Sequence, residues 1–153
     1  MKKTVPPVEP IVVECDLPHP PTLVWRALTE KELLGTWLLP NDIRPEVGAR
    51  FSFECTDPPR PHSVNCEVLD VQPNRTLRWR QTEDAGREGS EQSVTSVVSI
   101  DLTDNATGGT HLRLVHDQFE VAPRSAIVVP LRAVRVRRAR AKHVIVCQLR
   151  RAA

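Results

Sequence analysis

Between Arg50 and Phe119 the chain runs through five segments that alternate apolar and polar residues, each divided from the next by a turn or loop. That repetition constrains the fold more than any other feature. An alternating segment makes a strand with one apolar face, and strands joined in succession by short connections pair antiparallel. "GARFSFEC" sets Phe51, Phe53 and Cys55 against Arg50, Ser52 and Glu54. "SVNCEVLDV" slips phase at Val68–Leu69, as a β-bulge gives. "TLRWRQ" sets Leu77 and Trp79 opposite Arg78 and Arg80. "SVTSVVSIDL" alternates through Val94, Ser96, Val98, Ile100 and Leu102, and "THLRLVHDQF" through Leu112, Leu114 and His116.

Upstream the period changes. "IVVECDL" is β-branched and bounded by prolines, so it reads as a strand. Pro20 and Pro21 suit the first turn of a helix. Leu23, Val24, Ala27 and Leu28 then recur at helical spacing. Thr29 with Glu32 has the spacing of a capping box for a second short helix, whose apolar face is Leu33, Leu34, Trp37 and Leu38. One strand, two short helices and five strands predict an α+β fold, with an antiparallel sheet of about six strands and the helix pair at one side. A sheet with one apolar face needs a large element to cover it.

Charge divides the chain. Residues 1–119 hold 12 Lys and Arg against 18 Asp and Glu, a net of −6; residues 120–153 hold 9 against one, a net of +8, which together recover the chain's +2. The expected organisation is an N-terminal extension over 1–10, one domain over 11–119 and a basic tail over 120–153. In the tail neither helical nor strand period dominates; Ala, Leu, Arg and Lys favour helix over roughly 130–150. No segment approaches the roughly 18 apolar residues of a membrane span. "MKKTVPPVEP" lacks the apolar core of a secretory signal, so a cytoplasmic location is the expectation. Cys15, Cys55, Cys66 and Cys147 form no C-x-x-C pair and no zinc spacing, which favours free thiols acting as small hydrophobes.

Several stretches resemble a known family. "VECDLPHPPTLVWRALTEKELLGTWL" carries Val24, Trp25, Ala27, Leu28, Thr29 and Trp37. "PEVGARFSFE" carries a Pro-x-x-Gly-x-x-Phe pattern in Pro45, Gly48 and Phe51. "EVLDVQPNRTLRWRQ" carries Val68, Pro73, Leu77 and Trp79, and "GGTHLRLVHDQF" carries Gly109, Thr110, Leu112, Leu114, His116 and Phe119. Together these resemble the START-related helix-grip superfamily, and within it the homologues of the activator of the heat-shock-protein-90 ATPase. The resemblance covers about three-quarters of the chain. It implies a helix-grip fold with a ligand cavity over the sheet, closed by a long C-terminal helix that begins with aromatic residues. Two departures stand out. Gln118 occupies a position where glycine is common in the family, and no aromatic residue follows Phe119. The abrupt change to Arg, Ala, Val and Pro is what a GC-rich gene gives when read out of frame, so the terminus after about residue 119 is expected to be frameshifted or otherwise replaced.

No catalytic motif stands out. There is no phosphate-cradling glycine loop, no G-x-S-x-G and no H-E-x-x-H, so no cofactor or metal is expected and binding is favoured over catalysis. His116 sits at an inward strand position. Asp117, its neighbour, points to the other face, so the two cannot form an acid–base pair directly, and a structural histidine is the commoner outcome. Glu54 and Glu67 fall on outward faces. Trp25, Trp37 and Trp79 are either core packing or the wall of a small-molecule site. The resemblance places Trp37, Phe51, Phe53, Trp79, Leu112, Leu114 and His116 toward the cavity. The expected partner is therefore a small hydrophobic molecule. A chaperone whose ATPase the domain stimulates is the alternative, implied by the family alone. The Arg-rich tail could meet nucleic acid or another anion, but it has no interleaved aromatics to stack on bases, so nucleic acid is disfavoured.

Overall fold

A computed structural model of the chain describes residues 9–56, 62–84 and 92–123. The elements follow the predicted order: β1 (Ile11–Leu17), α1 (Pro21–Thr29), α2 (Lys31–Trp37), β2 (Arg50–Cys55), β3 (His62–Gln72), β4 (Thr76–Asp84), β5 (Gln92–Asp104) and β6 (Thr110–Pro123). The strands form one antiparallel sheet in the order β1-β6-β5-β4-β3-β2. The first strand thus closes against the last, and the successive hairpins fill the space between. This is the α+β helix-grip arrangement. The expected C-terminal covering helix, Cys147 and nearly all of the basic tail lie outside the described residues.

Alternation places the core on one face. Phe51 and Phe53 on β2, Val64, Cys66 and Val68 on β3, Leu77 and Trp79 on β4, Val98, Ile100 and Leu102 on β5, and Leu112 and Leu114 on β6 are all buried in one cluster. Val24 and Leu28 of α1, Leu34 of α2 and Ile43, between α2 and β2, complete it. The helix pair therefore packs on this inner face. Its start is set by proline: Pro20 is the N-cap, Pro21 fills the first turn, and the Pro20 carbonyl accepts from the Leu23 and Val24 amides. The capping box expected at Thr29 does not form. Thr29 instead donates its hydroxyl to the Trp25 carbonyl at 2.7 Å, and Glu30 holds the N-cap position of α2 with no side-chain cap bond. A threonine in the last turn of a preceding helix has an i−4 carbonyl within reach, and that bond wins over capping.

Two irregularities re-phase the sheet. The β3–β4 register shifts between Val68 and Asp70, at the slip read from the sequence. The β5–β6 register shifts between Thr95 and Val97, where Ser96 faces both Gln118 and Phe119. Gln118 carries the backbone strain of this bulge, with φ at 53°. The left-handed region suits glycine at such a bulge, which gives a physical reason for glycine at this position. Gln118→Gly is expected to stabilise the domain by about 0.5–1 kcal/mol, read as a rise in the urea midpoint with unchanged slope. A loss of stability would mean that the glutamine backbone is not strained there.

Candidate functional site

The inner face divides into three regions. At one end, α1 stands off the sheet and leaves an apolar cavity of about 80 Å³, lined by Leu17, Leu23, Val24, Ala27, Leu28, Trp37 and Leu112, with His19 beside them. The wall is held in place by two polar contacts. Trp37 Nε1 donates to the Ala27 carbonyl at 2.9 Å, which fixes the indole across the helix pair. Thr110 Oγ1 donates to the His19 carbonyl at 2.7 Å, which ties the start of β6 to the β1–α1 connection. Leu23 and His19 are exposed and form the rim.

Level with His116 and Ser96 in the strand register, on the β4 and β2 side of the sheet, lie the aromatic side chains. Phe51 and Phe53 meet edge to face at 5.4 Å, and Trp79 lies 6.0 Å from Phe51 and 6.1 Å from Phe53. These are favourable edge-on or tilted geometries. The indole nitrogen of Trp79 donates to Gln81 Oε1 at 3.2 Å. Leu114 is buried in the same core.

At the far end the face turns polar. His116 and Ser96 are both buried, and His116 Nε2 shares a 2.7 Å hydrogen bond with Ser96 Oγ. The ring of Phe119 lies 4.6 Å from the imidazole. His116 Nδ1 is buried and has no hydrogen-bond partner among the described residues. Burial pushes the imidazole pKa down to about 4, against an opposing pull from Asp117. Glu83, on β4, is pushed above the usual carboxylate range by burial, with His62 opposing. Cys66 is pushed up to about 12, chiefly by burial and then by the Asp42 and Glu83 carboxylates. This environment disfavours charge of either sign, and it makes Cys66 a poor nucleophile.

The depressed imidazole couples folding to pH. Unfolded, His116 takes up a proton near its ordinary value of roughly 6.5; folded, it resists until about pH 4. The unfolded chain therefore binds more protons in that window, and stability falls as pH drops from about 6.5 toward 4, by up to about 3 kcal/mol. Glu83 contributes with the opposite sign, losing stability as pH rises through its raised pKa. The difference between wild type and His116→Gln isolates the histidine. The variant is expected to lose the acid-side slope in urea unfolding between pH 4 and 6.5, and an unchanged slope would contradict a buried neutral imidazole.

Of the residues picked from the sequence, Trp37 and Leu112 come together on the cavity wall. Phe51, Phe53 and Trp79 pack on one another with Leu114 in the same core, and His116 lies roughly 13 Å along β6 from Leu112. The outward reading of Glu54 and Glu67 matches their partners: Ser63 Oγ donates to Glu54 at 2.8 Å, and Arg80 approaches Glu67 at 3.7 Å. The sequence reading missed Gln81 and Glu83. Continuing the parity of Leu77 and Trp79 along β4 finds both. It also passed over the Leu17 and Leu23 walls of the cavity. Among the described residues no group of three or more His, Cys, Asp or Glu side chains is placed to hold a metal, and no helix is long and apolar enough to cross a membrane.

Comparison with known proteins agrees with this architecture. The sequence model of the family described as "Activator of Hsp90 ATPase homolog 1-like protein" matches residues 18–128. The crystal structure of protein MLL2253 from Mesorhizobium loti is 38% identical over 73% of this chain and 78% of that one, with a TM-score of 0.62. CalU16 from Micromonospora echinospora is 21% identical over 70% of this chain and 59% of its own, at a TM-score of 0.53. DynU16, from the dynemicin biosynthetic locus, is 22% identical over 72% of this chain and 38% of its own, at 0.59. The last two share the fold alone. No curated protein matches the chain.

Proposed function

The chain belongs to the family of activator of Hsp90 ATPase homolog 1-like proteins, and from that premise we propose that it binds a small hydrophobic molecule between its helix pair and the inner face of its sheet. The binding unit in this reading is the span 11–119, and binding requires no catalysis. The observation that carries the reading is the apolar cavity of about 80 Å³ behind α1, with Trp37 and Leu112 in its wall and an exposed rim at Leu23. Ligand sites are concave and largely apolar, with few polar groups. A cavity of this size, open at its rim, takes the end of an apolar chain or seats part of a small ring, and toluene is a suitable probe. Phe51, Phe53, Trp79, Leu114 and His116 continue the same face beyond it.

Ala27 offers a direct test. Its side chain lines the cavity, while its carbonyl holds Trp37 through the backbone. Ala27→Phe is expected to fill the space, keep the Trp37 bond and weaken toluene binding at least about tenfold, since displaced apolar burial is worth roughly 1.5–3 kcal/mol. Calorimetry on the full chain reads this. Equal affinity in a folded variant would place binding elsewhere. A second reading, stimulation of a chaperone ATPase, is favoured only by the description of the matching family. Fold and family do not fix function, and an ATPase assay with the purified chaperone decides it.

A further inference from the structure

The cavity behind α1 is apolar except at its rim, where His19 stands beside the exposed Leu23. Trp37 already gives its indole N–H to the Ala27 carbonyl, so His19 alone among the lining residues offers a polar side-chain group to a bound molecule. No hydrogen bond or ion pair engages the His19 side chain among the described residues. Its backbone is held stiffly. The residue lies in the sequence Pro18-His19-Pro20-Pro21, and proline fixes its own φ and keeps the residue before it extended. The His19 carbonyl accepts from Thr110 Oγ1 at 2.7 Å, and Thr110 is fully buried. Pro20 in turn is the N-cap of α1. One stiff segment therefore sets both the imidazole at the rim and the helix that forms the wall. A side chain on a fixed backbone loses less freedom on binding than one on a mobile loop.

Resting on the ligand-binding reading above, we propose that the ligand is a small neutral amphiphile, an apolar ring or chain end bearing one hydroxyl group, and that His19 is the binding residue that selects the hydroxyl. The apolar end seats against Leu28, Trp37 and Leu112, and the hydroxyl lies at the rim beside the imidazole. Size sets this orientation. A cavity of about 80 Å³ holds only part of a ring, so the remainder projects past the rim on which His19 stands. Chemistry sets the group. A neutral imidazole has one donor and one acceptor nitrogen, and a hydroxyl is both donor and acceptor, so it bonds whichever nitrogen faces it. The lining residues include no Arg or Lys to pair with a carboxylate and no Asp or Glu to pair with an ammonium.

The test compares toluene, para-cresol and para-toluate by calorimetry on the full chain at pH 8, where para-cresol is neutral and para-toluate ionised. Para-cresol is toluene with one hydroxyl added opposite the methyl group, so the ratio of their affinities cancels what the ring contributes. That ratio is expected to fall about threefold to tenfold in His19→Ala and to be largely kept in His19→Gln, whose amide also donates and accepts. Toluene affinity is expected to be the same in all three proteins. Para-toluate is expected to bind the wild type no tighter than it binds His19→Ala. In the wild type, para-cresol but not toluene is expected to move the imidazole nitrogen resonances of His19, a readout that needs no variant. Toluene binding with an unchanged ratio in His19→Ala, or with an imidazole silent to para-cresol, overturns the role of His19 and leaves the cavity reading standing. A loss of para-toluate equal to that of para-cresol in His19→Ala overturns the choice of a neutral hydroxyl. Failure of toluene to bind the wild type overturns the cavity reading, and the proposal with it.

Discussion

Gly109→Ala is expected to lower the stability of the domain by about 2–4 kcal/mol, whereas alanine at its neighbour, Gly108→Ala, is expected to cost about 1 kcal/mol. A Cβ at Gly109 would sit 2.1 Å from the carbonyl oxygen of Leu17, with the Asn105 side chain at 3.0 Å. Neither the β1 backbone nor the Asn105 loop can yield cheaply. Asn105 Oδ1 accepts from the Gly109 amide at 2.8 Å and from the Thr107 amide at 3.1 Å, and its amide nitrogen reaches the Leu17 carbonyl at 3.4 Å. Pushing Leu17 away would break the β1–β6 register at the pair Leu17–Thr110 and disturb the cavity wall that Leu17 supplies. A Cβ at Gly108 would meet no atom within 4 Å, and only the φ of 80° there resists substitution. Urea unfolding of both variants measures the contrast. Equal losses would mean that close approach at Gly109 does not hold β1 to β6.

Trp79→Ala is the second large expected effect, a loss of about 3–5 kcal/mol. The indole is 5% exposed, its ring meets both Phe51 and Phe53, and it sits at the centre of β4 between β3 and β5. Removing it opens a cavity beside side chains fixed by strand pairing, which relax little. Trp79→Phe keeps an aromatic partner and is expected to lose less than half as much. Urea midpoints at a constant slope give both numbers. A loss below about 1 kcal/mol for the alanine variant would mean that the aromatic trio contributes little to folding.

These two positions show what a sequence can and cannot reveal. Gly108 and Gly109 are adjacent identical residues in one turn, yet one supplies a positive φ and the other a close backbone approach. Only the three-dimensional path of β1 separates them. The strands themselves are legible because each buries one face, so Phe51 and Phe53, Leu77 and Trp79, and Leu112 and Leu114 declare their side by parity. The slip at Val68 is legible for the same reason. The Thr29 capping box misleads because pattern alone does not rank two hydrogen-bond partners, and the hydroxyl goes to the Trp25 carbonyl. The bond between Ser96 and His116 cannot be read, since it joins residues twenty apart in sequence through a bulged register. The cavity is likewise a property of how α1 stands over β1 and β6, although the family resemblance points to Trp37 and Leu112 of its wall.

The most direct measurement of the binding account is a methyl carbon–proton NMR titration of the full chain with toluene. Saturable shifts are expected at Leu17, Leu23, Val24, Leu28 and Leu112, which line the cavity. No shift is expected at Val47, which is 67% exposed and does not line the cavity. The same titration of Ala27→Phe should leave all of these methyls unmoved. Shifts confined to residues outside the cavity, or none at saturating toluene, would contradict the claim that this face binds a small hydrophobic molecule.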